Sequence, residues 1–266
     1  DYASFQVFLE EACGITLGDN KQYLVASRLG ALLSEYKIPS LRALIERLRT
    51  DRRSELYERI VDAMTTNETL WFRDAFPFEI VRQVILPELV KARAQGARLW
   101  SAACSSGQEP YSIGMIIDEF QRANPGALAN NVQIIATDLS PSMLELARAG
   151  SYDAAAMVRG VSDERRRQFF TERLGRWQLN EEVRRRVTFS EHNLQLGFEP
   201  LGKFQVIFCR NVLIYFSADL KRSILARFAA SLHPGGYLFL GAAEAITGYS
   251  DAFEMLRLPQ GIVYRL

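Results

Sequence analysis

Two short runs of the sequence hold most of the residues that could carry out chemistry. One is T-T-N-E-T-L-W-F-R-D, from Thr65 to Asp74, and the other is W-S-A-A-C-S-S-G-Q-E-P-Y-S, from Trp100 to Ser112. Each run adjoins an apolar segment, and a buried polar group costs free energy unless it finds a partner. Packing alone explains such runs poorly, so both predict a functional site.

The second run has the composition of a turn that approaches a nucleotide. Residues Ala102 to Gly107 are small, which lets the backbone come close to a ligand, and a helix is predicted to begin near Glu109-Pro110. The full G-x-G-x-x-G pattern is absent from this run. The run is therefore either a nucleotide-binding turn or only a tight connection between a strand and a helix.

Asp138, in the run A-T-D-L-S, follows the next apolar segment. An acid at this place accepts hydrogen bonds from a ribose in dinucleotide-binding folds. The alternative is that Asp138 caps the helix that starts after Ser140-Pro141. A ribose is part of both a nicotinamide dinucleotide and S-adenosylmethionine. The carboxylate of Glu109 would repel a pyrophosphate and suits a positively charged sulfonium, so S-adenosylmethionine is favoured.

A third polar cluster lies in C-R-N-V-L-I-Y-F, from Cys209 to Phe216, at the end of an apolar run. Arg210 is poorly placed for a core residue and is a candidate for the site, although a salt bridge at the strand end is the alternative. Tyr215 is a second candidate, but an aromatic residue in such a run often packs in the core instead.

The elements that must position these residues follow from the spacing of apolar side chains. From Arg98 onward, short apolar runs alternate with amphipathic helices, and we predict strands at Leu99 to Ala103, Val132 to Thr137, Phe204 to Cys209, Tyr237 to Gly241 and Ile262 to Leu266. This alternation predicts an α/β domain with a doubly wound, mostly parallel sheet. Ligands bind such sheets beyond the carboxyl ends of the strands, where the polar clusters lie.

The chain before about Met64 shows helical spacing only, in four groups of apolar residues, which predicts a small all-α bundle. Ser40 is placed to cap the third helix. We assign residues 1–70 to this helical domain and residues 71–266 to the α/β domain. An arginine-rich stretch at about 150–191 interrupts the alternation, and we interpret it as an insertion.

Composition narrows the class of protein. The 266 residues include 32 Lys and Arg against 31 Asp and Glu, a net charge of +1, so no global charge draws the chain to nucleic acid or to an anionic membrane. The three cysteines are far apart and lack the spacing of a zinc site or a disulfide framework, which favours a reducing cytoplasm and predicts no metal. No apolar run reaches the roughly 20 residues that span a bilayer, so we expect no membrane insertion.

With these residues assembled, the chain closely resembles the CheR family, the chemotaxis receptor glutamate methyltransferases. The likeness runs from about Phe5 to Leu266. It rests on five motifs in the family's order: the two polar runs, A-T-D-L-S, H-N-L from His192 to Leu194, and C-R-N-V-L-I-Y-F. Five ordered motifs are far more specific than any one of them.

The resemblance implies a helical N-terminal domain that touches the receptor, followed by an S-adenosylmethionine-dependent methyltransferase domain with a small inserted β-subdomain. It implies methylation of glutamate side chains in the cytoplasmic helical region of chemotaxis receptors, which adjusts receptor signalling. It also implies a cofactor pocket lined by Asn67, Thr69, Arg73, Glu109, Asp138, Asn193, Leu194, Arg210 and Asn211. Arg73 and Tyr215 would lie closest to the transferred methyl group, as the catalytic residues.

In some members of the family the insert holds a short peptide at the receptor's end. Here the segment from Leu174 to Val183 is compact, with only Gly175 available for a flexible loop. The chain therefore resembles the members that do not depend on that peptide. The sequence identifies no regulatory partner.

A receptor glutamate, with an ordinary pKa of about 4.3, is ionised at neutral pH and needs no general base. We therefore expect His192 and His233 to be structural. Two other functions remain open: a sensor that binds the cofactor without catalysis, and a methyltransferase that acts on a small molecule. The joint presence of Arg73, Asn211 and Tyr215 argues against the first, and a basic helical domain argues mildly against the second.

Basic residues of the helical domain predict how a receptor would dock. They are Lys21, Arg28, Arg42, Arg47, Arg49, Arg52, Arg53 and Arg59. An acidic receptor helix would be attracted to this basic face, and the attraction would weaken with salt. The alternative is a solvated face whose cations pair with Glu35, Glu46, Glu55 and Glu58.

Overall fold

The computed structural model describes residues 1–51, 54–93, 96–128 and 132–266. Arg52 and Arg53, two of the predicted docking residues, lie outside these ranges. Within them, no helix has both the length and the apolar character needed to cross a membrane.

The N-terminal part is the predicted helical bundle. Its four helices are α1 (Tyr2–Cys13), α2 (Gln22–Glu35), α3 (Leu41–Thr50) and α4 (Glu55–Met64). The apolar faces meet in one core around Phe5, Leu29 and Ile60, none of which is exposed to solvent. The Ser40 hydroxyl accepts a hydrogen bond from the Ala43 amide at 3.2 Å, which confirms the predicted cap of α3.

The C-terminal part is built on a seven-stranded sheet in the order β6-β2-β1-β7-β8-β10-β9. The strands are β1 (Ala97–Ala102), β2 (Val132–Asp138), β6 (Val187–Glu191), β7 (Phe204–Cys209), β8 (Leu232–Leu240), β9 (Glu254–Leu258) and β10 (Gly261–Arg265). The first five in that order pair in parallel, and β10 and β9 complete the edge as antiparallel strands. The prediction of a mostly parallel sheet is confirmed.

Helices cover both faces of this sheet, as the doubly wound arrangement requires. They are α5 (Phe76–Ile80), which continues through a π-helical turn (Val81–Ile85) into α6 (Leu86–Lys91), then α7 (Gln108–Ala123), α8 (Pro141–Ala149) and α12 (Ala218–Ser231). One apolar core packs α7 against one face, and a second core packs α12 against the other. The strand order reverses between β1 and β7, which places a crevice at the carboxyl ends of these neighbours.

The predicted insertion forms a small separate sheet. It contains β3 (Ser151–Tyr152), α9 (Ala154–Met157), α10 (Asp163–Phe169), β4 (Phe170–Arg173), β5 (Arg176–Leu179) and α11 (Glu181–Arg184), with strand order β3-β5-β4. Leu174 and Gly175 alone join β4 to β5, both with positive φ, as in the tight turns that suit a hairpin. Val187–Glu191, which we had placed in the insertion, pairs instead with β2 in the main sheet.

The insertion packs against the first polar run. The ring of Trp71 makes edge contacts with Tyr152 at 4.8 Å and with Phe170 at 5.2 Å between ring centres. The backbone amide of Trp71 donates to the Arg159 carbonyl at 3.1 Å. Gly160 has a φ of +99°, and a Cβ there would lie 2.0 Å from the Trp71 carbonyl oxygen, so only glycine fits. The insertion thus holds the polar run in place.

Candidate functional site

A cavity lies beyond the carboxyl ends of β1, β2 and β7, with about 940 Å³ of empty space when its solvent-open part is included, and the helical domain partly covers it. Its walls come from six segments: the end of α1, the first polar run, the turn after β1, the residues after β2, the residues after β6, and the loop after β7. All ten predicted site residues line it: Asn67, Thr69, Arg73, Glu109, Asp138, Asn193, Leu194, Arg210, Asn211 and Tyr215. The structure thus brings the whole set together, while their roles remain predictions.

Strained backbone is concentrated in these walls. Of the non-glycine residues with positive φ that the structure describes, six lie in the first polar run or directly after it, in the turn after β1 or in the loop after β7: Phe72, Asp74, Ala75, Ala103, Ser105 and Asn211. Such conformations cost on the order of 1–3 kcal/mol each and persist where surrounding contacts enforce them. Such clustering is typical of active sites and ligand-binding sites.

The turn after β1 approaches the cavity with its backbone. Ala103 and Ser105 have φ of 57° and 50°, and Gly107, at 93°, begins α7. The Cys104 amide donates to the Thr137 carbonyl at 2.9 Å, which anchors the turn to the end of β2. Glu109 lies in the first turn of α7, so its carboxylate faces the cavity from a helix N-terminus that stabilises negative charge.

Asp138, the last residue of β2, is buried with its carboxylate at the cavity wall. One oxygen accepts from the Ser140 amide at 2.9 Å and the other from the Ser105 amide at 2.7 Å. Burial raises the pKa of Asp138, and these amide bonds offset part of that shift. The residue that caps α8 is Ser140, whose hydroxyl accepts from the Met143 amide. Asp138 is therefore not the cap of this helix.

Arg210 joins two walls of the cavity. Its guanidinium donates to Glu109 at 3.1 Å, to the Arg73 carbonyl at 2.9 Å and to the carboxylate of Asp74. The side chain is 2% exposed, so these contacts are largely shielded from water. The salt bridge proposed as an alternative is present, and it lies within the site. One cation between two carboxylates leaves a formal charge of −1, which suits a positively charged ligand.

Contacts from several elements fix the first polar run. Arg28 of α2 donates to the carbonyls of Met64 and Thr65 at 2.7 and 2.8 Å. Farther along, the Ser105 hydroxyl donates to the Asn67 carbonyl at 3.0 Å, and the Phe72 amide donates to the Ser112 hydroxyl at 3.1 Å. The two polar runs of the sequence are therefore bonded directly to each other.

Arg73 and Tyr215 have free polar ends in the described part of the chain. The Arg73 guanidinium makes one long hydrogen bond, 3.4 Å to the Glu68 carbonyl, and no described carboxylate lies within ion-pair distance. Tyr215 ends a 3-10 turn, Leu213–Tyr215, and its ring packs on the apolar core beside the cavity. No described protein group hydrogen-bonds its hydroxyl. Both side chains remain available to a ligand.

Sequence reasoning missed what the helical domain contributes. Cys13 and Ile15 line the cavity, and Ile15 pairs with Phe216 in a short antiparallel bridge. The side-chain amide of Asn193 donates to the Ala12 carbonyl at 2.9 Å, so a predicted site residue also links the two domains. No local signal marks either residue, because Cys13 is an ordinary apolar residue at the end of α1 and Ile15 is a single apolar residue just after that helix.

Two acidic residues outside the quoted motifs also support the site. Asp62 of α4 accepts from the hydroxyls of Ser140 and Ser142, and so binds the helical domain to the segment beside Asp138. Glu244, after β8, accepts from the backbone of the loop after β7. Their partners are 30 to 80 residues away in the chain, so spacing could not reveal them.

The cavity suits the expected cofactor chemically. Asp138 offers acceptors for ribose hydroxyls, Glu109 a negative charge for a cationic group, and Arg210 a cation for a carboxylate. Several buried polar atoms of lining residues have no protein partner in the described ranges: Nε of Arg210, Oδ1 of Asn211 and Nε2 of His192. Unpaired buried groups of this kind call for a bound molecule or water.

The three cysteines should react slowly in the folded protein. Burial raises the pKa of Cys13 to about 11, and raises the pKa values of Cys104 and Cys209 well above their usual range. Because the thiolate is the reactive form, alkylation of Cys13 should accelerate about tenfold per pH unit between pH 7 and 9. Mass spectrometry after timed iodoacetamide treatment measures this rate, with denatured protein as the control.

Ligand protection separates the three thiols. Cys13 and Cys104 line the cavity and Cys209 does not, so saturating S-adenosylhomocysteine, the demethylated form of the expected cofactor, should slow alkylation of the first two only. Equal protection of all three, or none, would contradict the placement of the cavity.

Comparison with known proteins gives a consistent result over the whole chain. Residues 1–65 match the family model described as "CheR methyltransferase, all-alpha domain", and residues 67–262 match "CheR methyltransferase, SAM binding domain". "Chemotaxis protein methyltransferase 1" of Pseudomonas aeruginosa is 55% identical over 100% of this chain and 97% of its own length. "Chemotaxis protein methyltransferase Cher2" of Pseudomonas putida is 52% identical over 100% and 97%. "Chemotaxis protein methyltransferase 1" of Vibrio cholerae is 52% identical over 100% and 96%.

Proposed function

Because the chain belongs to the CheR methyltransferase family and carries its S-adenosylmethionine-binding domain, we propose that it methylates glutamate side chains of chemotaxis receptors. The product is a glutamyl methyl ester on the cytoplasmic helical region of the receptor. One observation carries this proposal: Arg73 and Tyr215, which have no carboxylate partner among the described residues, border a cavity whose other wall is negatively charged. Such a site accepts a cationic donor on one side and an anionic acceptor on the other.

The negative wall holds the cofactor. Asp138 accepts hydrogen bonds from the ribose hydroxyls, and Glu109 faces the positively charged groups. Arg210 directs its Nε to the carboxylate end of the cofactor, while its two terminal nitrogens donate to Glu109 and Asp74. The remaining polar contacts come from Asn67, Thr69, Asn193 and Asn211, and Leu194 contributes apolar surface.

S-adenosylmethionine supplies a methyl group bonded to a positively charged sulfur. The residues of this chain need not remove a proton, because a glutamate with an ordinary pKa of about 4.3 is already ionised at neutral pH. His192, whose pKa is lowered by burial, is therefore not required as a base. The chemical demand on the protein is orientation and exclusion of water.

Arg73 and Tyr215 meet the demand for orientation. Displacement at carbon requires the acceptor oxygen, the methyl carbon and the sulfur to lie close to a line, and fixing that geometry removes much of the barrier. Arg73 binds the incoming carboxylate, and the Tyr215 hydroxyl borders the path of the methyl group. Apolar lining by Ile15, Leu194 and Phe216 keeps water away, which favours a step in which opposite charges combine.

The experiment that tests the proposal uses receptor-containing membranes and S-adenosylmethionine labelled in its methyl group. We expect label on the receptor that is released as methanol by mild alkali, as carboxyl methyl esters are. Binding of S-adenosylhomocysteine without transfer to receptor or small acids would instead indicate a cofactor sensor. Transfer to a small molecule but not to receptor would assign a different acceptor, and either result would overturn the proposal.

The cations on the basic face of the helical domain fall into two groups, those with partners inside the protein and those without a described carboxylate partner. Arg42 pairs with Glu46 and Arg59 with Glu35, while Arg28 binds backbone carbonyls of the first polar run. Lys21, Arg47 and Arg49 have no carboxylate partner among the described residues. Pairing thus accounts for part of the face, and these three cations are the candidates for receptor docking.

Receptor affinity should depend on salt through these cations. We expect binding to receptor membranes to weaken several-fold between about 0.05 and 0.3 M salt, because exposed charges are screened over this range. The double substitution Arg47→Gln, Arg49→Gln should weaken binding and reduce the salt dependence. Arg42→Gln, whose side chain is already paired with Glu46, is the matched control. If a sedimentation assay showed that receptor affinity does not depend on salt, electrostatic attraction to the basic face would be excluded as a contribution to docking.

The insertion bears on docking in a different way. Its β4–β5 turn is only Leu174 and Gly175, with the Leu174 side chain fully exposed. This compact form supports docking without a peptide from the receptor's end. Receptors truncated at that end should then be methylated at the same rate as intact ones.

A further inference from the structure

Glu244 holds the loop that carries three of the predicted site residues. One carboxylate oxygen accepts from the amides of Asn211 and Gly241, both at 2.7 Å, and the other accepts from the amide of Ile214 at 3.3 Å. We propose that Glu244 is a positioning residue for methyl transfer, which acts by fixing this loop. The inference rests on the proposed function.

The place of Glu244 in the fold gives it this role. Cys209 at the end of β7 and Leu240 at the end of β8 are direct neighbours in the sheet. The chain then turns away from each strand, and Glu244 lies in the turn after β8 while the site loop, residues 210–215, follows β7. One carboxylate therefore clamps two adjacent loops at the carboxyl edge, beside the cavity.

The clamped backbone is under strain. Asn211 has a φ of 60°, a left-handed conformation that costs free energy for a residue with a side chain, although asparagine adopts it more readily than most. The bond from its amide to Glu244 stabilises this conformation, because an ionised acceptor makes hydrogen bonds about twice as strong as a neutral one. Without it, Asn211 can relax to a negative φ and shift the residues that follow, up to Tyr215.

Packing around Glu244 fixes the side chain of Asn211 as well. A Cβ on Gly241 would lie 2.7 Å from Nδ2 of Asn211 and 2.8 Å from Oε2 of Glu244, so no side chain fits between them. Oδ1 of Asn211 is buried without a protein partner in the described ranges, and the residue lines the cavity. Glu244 and Gly241 thus hold the side-chain amide of Asn211 in one orientation towards the cavity.

Glu244→Gln tests this role. The amide keeps the size of the side chain but turns one acceptor into a donor that faces a backbone N–H. A displacement of about 1 Å in a site can cost up to about 100-fold in rate, so we expect kcat to fall at least tenfold. The affinity for S-adenosylhomocysteine, measured by calorimetry, should change less than threefold, because the other walls of the cavity are intact. Glu254→Gln, at an exposed position of β9, is the matched control and should match the wild type.

A double-mutant cycle separates positioning from general stability. If Glu244 acts through the site loop, Glu244→Gln should add little to the loss of kcat caused by Asn211→Ala, whereas independent effects multiply. A kcat within twofold of wild type in Glu244→Gln, or fully multiplicative losses, would overturn the proposal. If Glu244→Gln does not fold, Gly241→Ala takes its place, and an unchanged kcat in that variant overturns it equally. A wild-type protein that transfers no methyl group would instead refute the proposed function.

Discussion

Replacing Arg73 with alanine should reduce methyl transfer about 100-fold or more, the scale of losing a charged donor aimed at the reacting group. The Arg73 guanidinium makes one long protein contact, 3.4 Å to the Glu68 carbonyl, so the fold has little to lose. The thermal midpoint and the affinity for S-adenosylhomocysteine should stay close to wild type. Initial rates of label transfer to receptor membranes, at saturating cofactor, provide the measurement.

Two further variants sharpen this test. Arg73→Lys keeps the charge but not the planar fork that binds both oxygens of a carboxylate, so it should recover only part of the rate. Arg82→Ala removes an arginine that pairs with Glu79 on the surface and serves as the matched control. Near-normal turnover in Arg73→Ala would exclude this residue from the mechanism.

Replacing Asp138 with alanine should weaken binding of S-adenosylhomocysteine by at least about 100-fold, since a buried acceptor for two hydroxyls is lost and each such bond is worth about 1.5–3 kcal/mol. The amides of Ser105 and Ser140 also lose their acceptor, so Asp138→Asn, which retains one oxygen, is the cleaner variant. Isothermal calorimetry measures the affinity. Asp219→Asn, on the surface of α12, is the control.

The pH dependence of binding follows from the same carboxyl group. Burial raises the folded-state pKa of Asp138 above its unfolded value, so ionisation of this group costs folding free energy above that pKa, and the cost disappears as pH falls through it. The protonated carboxyl accepts fewer hydrogen bonds, so wild-type affinity for S-adenosylhomocysteine should fall as pH falls through that raised pKa. Asp138→Asn should lack this step, and an unchanged affinity in the variant at pH 7 would refute the ribose assignment.

The sequence alone predicts those parts of the structure that depend on local pattern. The helical bundle and the main strands follow from apolar periodicity, and the cap at Ser40 follows from residue type. The ten site residues were found through motifs. Seven of them end or follow strands of the parallel sheet, which end at one edge, and the other three, Asn67, Thr69 and Arg73, reach that edge because the first polar run is bonded to the turn after β1 and to α7. Their individual roles stay predictions.

Features that depend on distant contacts escaped prediction. Asp62 lies 78 residues from Ser140, and Asn193 lies 181 residues from Ala12, so neither contact leaves a local pattern. Val187–Glu191 was assigned to the insertion because the arginine-rich stretch runs directly into it, yet it pairs with β2. The register that decides this pairing is a property of the assembled sheet rather than of the strand.

The close fit of Trp71 against Gly160 makes the inserted subdomain an unsuitable unit for exchange. A graft from a relative would bring its own residue to the position of Gly160, where a Cβ would lie 2.0 Å from the Trp71 carbonyl oxygen, and its own rings to the edge contacts with the indole. Any mismatch there would displace the segment that leads to Arg73, two residues later. Chimaeras built to swap receptor preference should therefore transplant the insertion together with residues 65–75 as a single cassette.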